Sequence, residues 1–248
     1  MRDPRWAAAL AIGLAMPLGA SAGSGQADVA LVLAVDVSGS VDDNRFRLQR
    51  EGIAAALESE EVAAAVSSGV NQTIEIAVVE WAEEQRLLVP WTVLRGRDDL
   101  EVLATRLRRA SRSWVHTMTD PGSGIAAAEH LFTEQPLVGL RQMIDVSGDG
   151  RQNTGEVATA DARDDAVSHG LTVNGLPIAS GDEPEIEDWY RANVVGGPGA
   201  FLVVADSYDV FAAAFRQKLM LEITGLTSGR KLAHTPRNIQ RPDPPVPD

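Results

Sequence analysis

Short apolar runs alternate along the chain with stretches whose apolar residues recur every three or four positions. That alternation predicts a parallel sheet covered by helices on both faces. The first strand is the apolar run ending at Val35. Asp42 and Asp43 follow, where carboxylates favour a helix start, and Phe46, Ile53 and Leu57 then share one helical face, interrupted by Gln49 and Arg50. Thr73 to Trp81 and Arg86 to Val93 are β-rich and joined only by Ala82 to Gln85. That link is too short for a parallel crossover, so the two should pair as a hairpin, with Pro90 marking the second as an edge strand. Helices are expected over Arg97 to Ala110, Gly124 to Phe132, Val157 to His169 and Glu187 to Val194. Strands are expected over Arg141 to Val146, Leu171 to Ile178 and Ala200 to Val204, and Ser207 should cap a last helix carrying Phe211, Phe215 and Leu219. The fold class is α/β: a doubly wound, mostly parallel sheet with one antiparallel edge strand and helices on both faces.

The two ends read differently. Arg2 and Arg5 precede an apolar stretch from Trp6 to Leu18, and Ala20-Ser21-Ala22 follows. This is the pattern of a secretory signal cleaved after Ala22, because the stretch is shorter than the roughly 20 apolar residues that span a bilayer. From Thr227 onward the chain carries Pro236, Pro242, Pro244, Pro245 and Pro247 and few large apolar groups, so residues 226–248 read as a flexible tail. Export implies a periplasmic or secreted protein, with no membrane span after signal cleavage.

Composition narrows the chemistry. Of 248 residues, 44% are hydrophobic and 23% charged, which is the profile of a globular chain. Lys and Arg total 22 against 35 Asp and Glu, a net charge of −13 that would repel a phosphate backbone, so no nucleic-acid partner is expected. The chain contains no cysteine, which excludes disulfides, thiolate metal sites and cysteine nucleophiles. Any metal must be held by oxygen or imidazole.

One segment stands out chemically. Asp36-Val37-Ser38-Gly39-Ser40 follows directly on the first strand and precedes the first helix. In open α/β sheets ligands bind beyond the carboxyl ends of strands, and one carboxylate with two hydroxyls suits magnesium, manganese or calcium. Alone, such a segment reads equally well as a capped turn. A second strand, ending in Ser147-Gly148-Asp149-Gly150, aims Asp149 at the same crevice. Asp145 reads as a buried, hydrogen-bonded carboxylate rather than a ligand, Glu80 as a residue that either supports the site from behind or faces a partner, and Asp145 and Ser147 as further residues that could support it. His116 is a lone histidine and is not taken as a ligand. The cluster Gly196 to Gly199 lacks a helix-opening phosphate signature and reads as a turn.

These residues resemble the von Willebrand factor type A (VWA) domain, whose metal-ion-dependent adhesion site (MIDAS) uses Asp-x-Ser-x-Ser, a later threonine and a later aspartate. The resemblance covers roughly Asp28 to Thr224, within a domain taken as 23–225. It is nearest to an uncharacterised subfamily of exported bacterial proteins. It rests on Leu48-Gln49-Arg50-Glu51-Gly52, Val79-Glu80-Trp81, Gly196-Gly197-Pro198-Gly199-Ala200 and above all Ile144-Asp145-Val146-Ser147-Gly148-Asp149-Gly150. It implies that Ser38 and Ser40 coordinate Mg2+ through their hydroxyls, with Asp36 and Asp149 acting directly or through water. Thr119 is the implied threonine, in Thr119-Asp120-Pro121-Gly122-Ser123-Gly124-Ile125, and Thr117 is its competitor. Mn2+ or Ca2+ would suit the same oxygens.

The implied function is a metal-dependent protein-binding module for adhesion or assembly, completed by an aspartate or glutamate carboxylate of a protein partner. Two other classes compete with it. A metal-dependent hydrolase or phosphoryl-transfer enzyme of the envelope would need a phosphate cradle, a base or a second metal, and the sequence offers no Gly-x-Ser-x-Gly, no His-Glu-x-x-His and no Asp-x-Asp beside the strand end. The chain is therefore expected not to be an enzyme. A metal-free envelope assembly factor is the third reading.

Overall fold

The structure, a computed structural model, describes residues 25–225 except 115, 116 and 182. The expected signal peptide, the proline-rich tail and His116 lie outside the described residues. In chain order the elements are β1 (Gln26–Ala27), β2 (Val29–Asp36), α1 (Asp43–Leu57), α2 (Glu60–Ser68), β3 (Ile74–Trp81), β4 (Gln85–Leu94), α3 (Arg97–Arg109), α4 (Pro121–His130), β5 (Val138–Gly139), β6 (Gln142–Gly148), α5 (Thr159–Ser168), β7 (Thr172–Pro177), α6 (Ile186–Asn193) and α7 (Phe211–Thr224).

The main sheet has five strands in the order β4-β3-β2-β6-β7. β4 alone runs antiparallel, as the hairpin partner of β3 at the sheet edge, where Pro90 removes no central ladder bond. β2, β3, β6 and β7 are parallel, and β2 lies in the middle with every residue buried, as its unbroken apolar run requires. β1 and β5 form a separate two-stranded parallel pair. Helices α1, α2, α3 and α7 cover one face, built on Leu31, Leu33, Ile53, Leu57, Leu103, Phe211 and Phe215. Helices α4, α5 and α6 cover the other, built on Val32, Trp81, Ile125, Ile144, Ala166 and Tyr190. This is the doubly wound architecture the alternating pattern predicts.

Local starts and stops follow ordinary capping chemistry. Asp42 accepts from the Arg45 backbone N–H at 2.8 Å to open α1, and Ser59 accepts from Val62 N–H at 3.3 Å to open α2, a helix the apolar pattern did not single out. Asp120 accepts from Ser123 N–H at 3.1 Å, and Pro121 sits where a missing N–H costs nothing, so α4 begins three residues before the expected Gly124.

Two sequence expectations need correction. Ala200 to Val204 is not a strand. It touches the sheet only through isolated bridges, Gly175 with Leu202 and Ile178 with Ala205, because the Phe201 N–H donates to the Asn174 side chain at 3.1 Å instead of to a strand ladder. Ser207 does not cap the last α-helix. It precedes a short 3-10 turn, Tyr208–Val210, and its side chain makes no capping bond.

Candidate metal centre

Parallel strands leave their carboxyl ends on one rim. β2 lies between β3 and β6, with Asp36 beside Trp81 and Val35 beside Ser147 in the ladder, so the segments leaving β2 and β6 emerge next to each other. The Ser40 hydroxyl donates to Asp149 Oδ1 at 2.5 Å across 109 residues of sequence. The Ser38 and Ser40 hydroxyls lie 3.3 Å apart, and Asp36 Oδ1 accepts the Ser38 backbone N–H at 2.7 Å, folding the loop back on the strand end. Asp36, Ser38 and Asp149 are almost wholly buried, while Ser40 faces solvent. The structure therefore brings Asp36, Ser38, Ser40 and Asp149 into one small volume.

The threonines approach from the segment preceding α4. The Thr119 backbone is tied to Asn153: its N–H donates to the side-chain Oδ1 at 2.8 Å, and its carbonyl accepts the Asn153 backbone N–H at 3.0 Å. Its side chain faces Gly150, next to Asp149, so closely that a Cβ at Gly150 would stand 3.2 Å from Thr119 Cγ2. Thr117 accepts the Gly39 N–H through its carbonyl at 2.9 Å, and its hydroxyl is buried without a hydrogen-bond partner. Both threonines thus border the rim, Thr119 beside Asp149 and Thr117 behind the loop of Ser38 to Ser40.

Three other named residues are buried within their strands. Glu80 is buried, accepting from Arg50 of α1 and from Ser113. Arg50, which breaks the apolar stripe of α1, is on the inner face for this reason. Asp145 is buried against Lys218 Nζ at 2.7 Å. Ser147 is buried in β6 opposite Val35 and Leu176.

Several residues shaping the rim were not read from the sequence. Arg45 Nη1 donates to Asp149 Oδ2 at 3.1 Å and to the Ser40 carbonyl at 2.8 Å, with its guanidinium 5.4 Å above the Tyr208 ring. Arg112 Nη2 donates to the carbonyls of Val37 and Ser38 at 3.0 and 3.1 Å. Ser113, its neighbour, is held by Glu80, so Glu80 reaches the loop through this segment. Asp36 Oδ2 is buried with no hydrogen-bond partner, and so is the Tyr190 hydroxyl. A Cβ at Gly148 would come within 2.7 Å of both atoms, so only glycine lets the two approach. Long-range partners of this kind carry no local signature; only the position of Arg45 in the first turn of α1, facing the preceding loop, hints at a role.

The electrostatics are those of crowded acids. Burial, together with the charge of Asp149, pushes the Asp36 carboxyl up to about 7, against the pull of its bonds from Ser38. Burial pushes the phenols of Tyr190 and Tyr208 far above their ordinary value, and the carboxylates of Asp36 and Asp149 add to it.

The donor set fits a hard divalent cation. Ligands 2.0–2.1 Å from Mg2+ in an octahedron lie about 3 Å from one another, and the observed oxygen separations of 2.5 and 3.3 Å bracket that edge. The orphaned Asp36 Oδ2 supplies a buried acceptor that lacks a donor. Hydroxyls and carboxylates without thiolate or imidazole favour magnesium, manganese or calcium over softer ions.

The chain's relatives agree with this fold. The sequence profile of the family described as "Protein of unknown function (DUF1194)" matches residues 26–227. No curated protein matches the chain in sequence. In three dimensions the chain is similar to proximal thread matrix protein 1 of the mussel byssus, with a TM-score of 0.57 at 15% identity, covering 80% of this chain and 46% of that one. The chain thus spans less than half the length of that protein. A further structure of the mussel protein, with a zinc-occupied MIDAS motif, gives 0.56 at 14% identity, covering 81% and 48%. The vWF domain of the type V pili tip protein Mfa5 of Porphyromonas gingivalis gives 0.59 at 11% identity, covering 82% of this chain and 98% of that domain. At these identities the likeness establishes the fold, which is that of the VWA domain.

Proposed function

The chain belongs to the DUF1194 family and has the VWA fold, and from that premise we infer that it is an exported, metal-dependent protein-binding module. Asp36, Ser38, Ser40, Thr119 and Asp149 would hold Mg2+, or Mn2+ or Ca2+ in its place, and an aspartate or glutamate of a protein partner would supply the last ligand. The observation that carries this reading is the Ser40 to Asp149 contact, which joins the ends of two strands through oxygens alone.

The residues divide the work by charge. The hydroxyls of Ser38, Ser40 and Thr119 are neutral donors, so a cation held largely by them stays electron-poor and attracts an anionic oxygen. Asp36 and Asp149 provide enough negative charge to retain the ion. Arg112, bonded to the carbonyls of Val37 and Ser38, braces the loop that carries both serines. The pilus-tip and byssal-thread proteins of like fold support an adhesive or assembly role, and the zinc-occupied motif in one of them supports a divalent cation at this rim. Among the described residues no helix is long and apolar enough to cross a membrane.

Calorimetric titration of the purified chain with MgCl2 and MnCl2 tests the metal half of the reading. Uptake is expected in the parent protein and lost in Asp149→Ala and in Ser38→Ala, with circular dichroism unchanged. Uptake that persists undiminished in both variants would overturn it. Capture of an envelope protein in Mg2+, abolished by chelator and by Ser38→Ala, tests the partner half.

A further inference from the structure

A second cluster of ligating groups lies on the other helical layer, where the C-terminal ends of α4 and α5 meet. Glu129 is in the last turn of α4, Asp165 is in the last turn of α5, and His169 directly follows α5. His169 Nδ1 stands 2.7 Å from Glu129 Oε1 and 4.0 Å from Asp165 Oδ1, and one ligand atom of each residue lies within 4.8 Å of the other two. We propose that Glu129, Asp165 and His169 form a binding site for a zinc-class divalent cation, which clips the ends of α4 and α5 together and is distinct from the strand-end rim.

Three observations bear on it independently. The first is geometric. A tetrahedral ion with nitrogen and oxygen ligands at roughly 2.0–2.2 Å sets neighbouring ligands about 3.4 Å apart, and the separations of 2.7 and 4.0 Å straddle that value. His169 and Asp165 are well exposed, so rotamer-sized adjustments suffice to close the triangle. The second is charge. Among the described residues neither Glu129 nor Asp165 pairs with a lysine or arginine. Two carboxylates therefore gather, with no lysine or arginine beside them, at a place where two helix C-termini also present their negative dipole ends. A divalent cation relieves all of these at once.

The third is access. A cavity of about 500 Å3 borders the cluster, with His130, Phe132 and Leu171 in its wall, so an ion held here keeps an open side for water or a small anion. The imidazole distinguishes this donor set from the all-oxygen rim and favours zinc, cobalt or nickel over magnesium.

Calorimetric titration with ZnCl2 tests the site on the parent chain, His169→Ala, Asp165→Asn and the rim variant Asp149→Ala. His169 and Asp165 are at the surface, so circular dichroism should show their two variants folded. A zinc equivalent is expected that survives Asp149→Ala and weakens at least tenfold in both His169→Ala and Asp165→Asn. Zinc uptake unchanged in His169→Ala overturns the proposal. So does uptake lost only in Asp149→Ala, which would assign the zinc to the rim, and so does uptake that needs His169 but ignores Asp165, which would reduce the site to a lone surface imidazole. Failure of the rim to take Mg2+ leaves this outcome untouched, so the two readings stand or fall separately.

Discussion

Both oxygens of Asp149 are engaged by groups of the chain itself: Oδ1 accepts from the Ser40 hydroxyl and Oδ2 from Arg45. A cation entering the proposed site therefore competes with the Arg45 guanidinium for one carboxylate. Arg45 is partly exposed, its side chain 23% accessible, so solvent screens part of this competition. The prediction at this scale is that Arg45→Gln binds Mg2+ or Mn2+ more tightly than the parent. Roughly a tenfold gain is expected, the equivalent of about 1.4 kcal/mol. Calorimetry reads it directly; equal or weaker binding in Arg45→Gln would show that the guanidinium supports the cation site instead of opposing it. None of this is visible locally in the sequence, where Arg45 is one of several charged residues in the first turns of α1.

At the scale of elements, α7 is tied to the sheet by charges in the core. Lys218 is fully buried, with Asp145 of β6 at 2.7 Å and Glu222 at 2.5 Å, and Asn174 of β7 donates to Glu222 at 2.9 Å. Two carboxylates share one ammonium, so one proton more is favoured. Burial, offset by the charge of Lys218 and reinforced by that of Asp145, pushes Glu222 from 4.5 up to about 7, and burial pushes Asp145 up as well. A carboxyl whose folded pKa is raised holds a proton that the unfolded chain has released. Its contribution to stability is therefore complete below about 4.5 and is lost as pH climbs toward 7, at no more than about 1.4 kcal/mol per pH unit. Glu222→Gln removes that dependence, so the variant should gain stability relative to the parent between pH 5 and pH 8 in urea unfolding. A difference that stays constant across this range would refute the shared proton. The tie matters because removing one partner of a buried ion pair costs roughly 3–5 kcal/mol; Lys218→Met, which leaves two acids without a cation, should lower the urea midpoint sharply. Asn174 also explains the missing strand at Ala200 to Val204, since its side chain takes the Phe201 N–H that a ladder would have used.

For the molecule as a whole, the described core lies within residues 25–225 on two faces of one sheet. If the ends are a signal and a tail, as the sequence suggests, the fragment 25–225 should unfold at the same temperature as the chain 23–248 in scanning calorimetry. A fall of more than about 4 °C, the effect of roughly 1 kcal/mol or more in a domain of this size, would place stabilising contacts in the omitted segments. The sequence alone determined the α/β class, the β3–β4 hairpin, most helices and the oxygen-bearing segments at the ends of β2 and β6. These depend on periodicity, capping and turn chemistry, which act between near neighbours. It did not determine what Arg45, Arg112, Gly148 and Lys218 meet, nor that Glu129, Asp165 and His169 converge. Those contacts form only once the order β4-β3-β2-β6-β7 brings distant segments side by side. For the fully buried Lys218, an unpaired charge would be costly enough to dictate its partners.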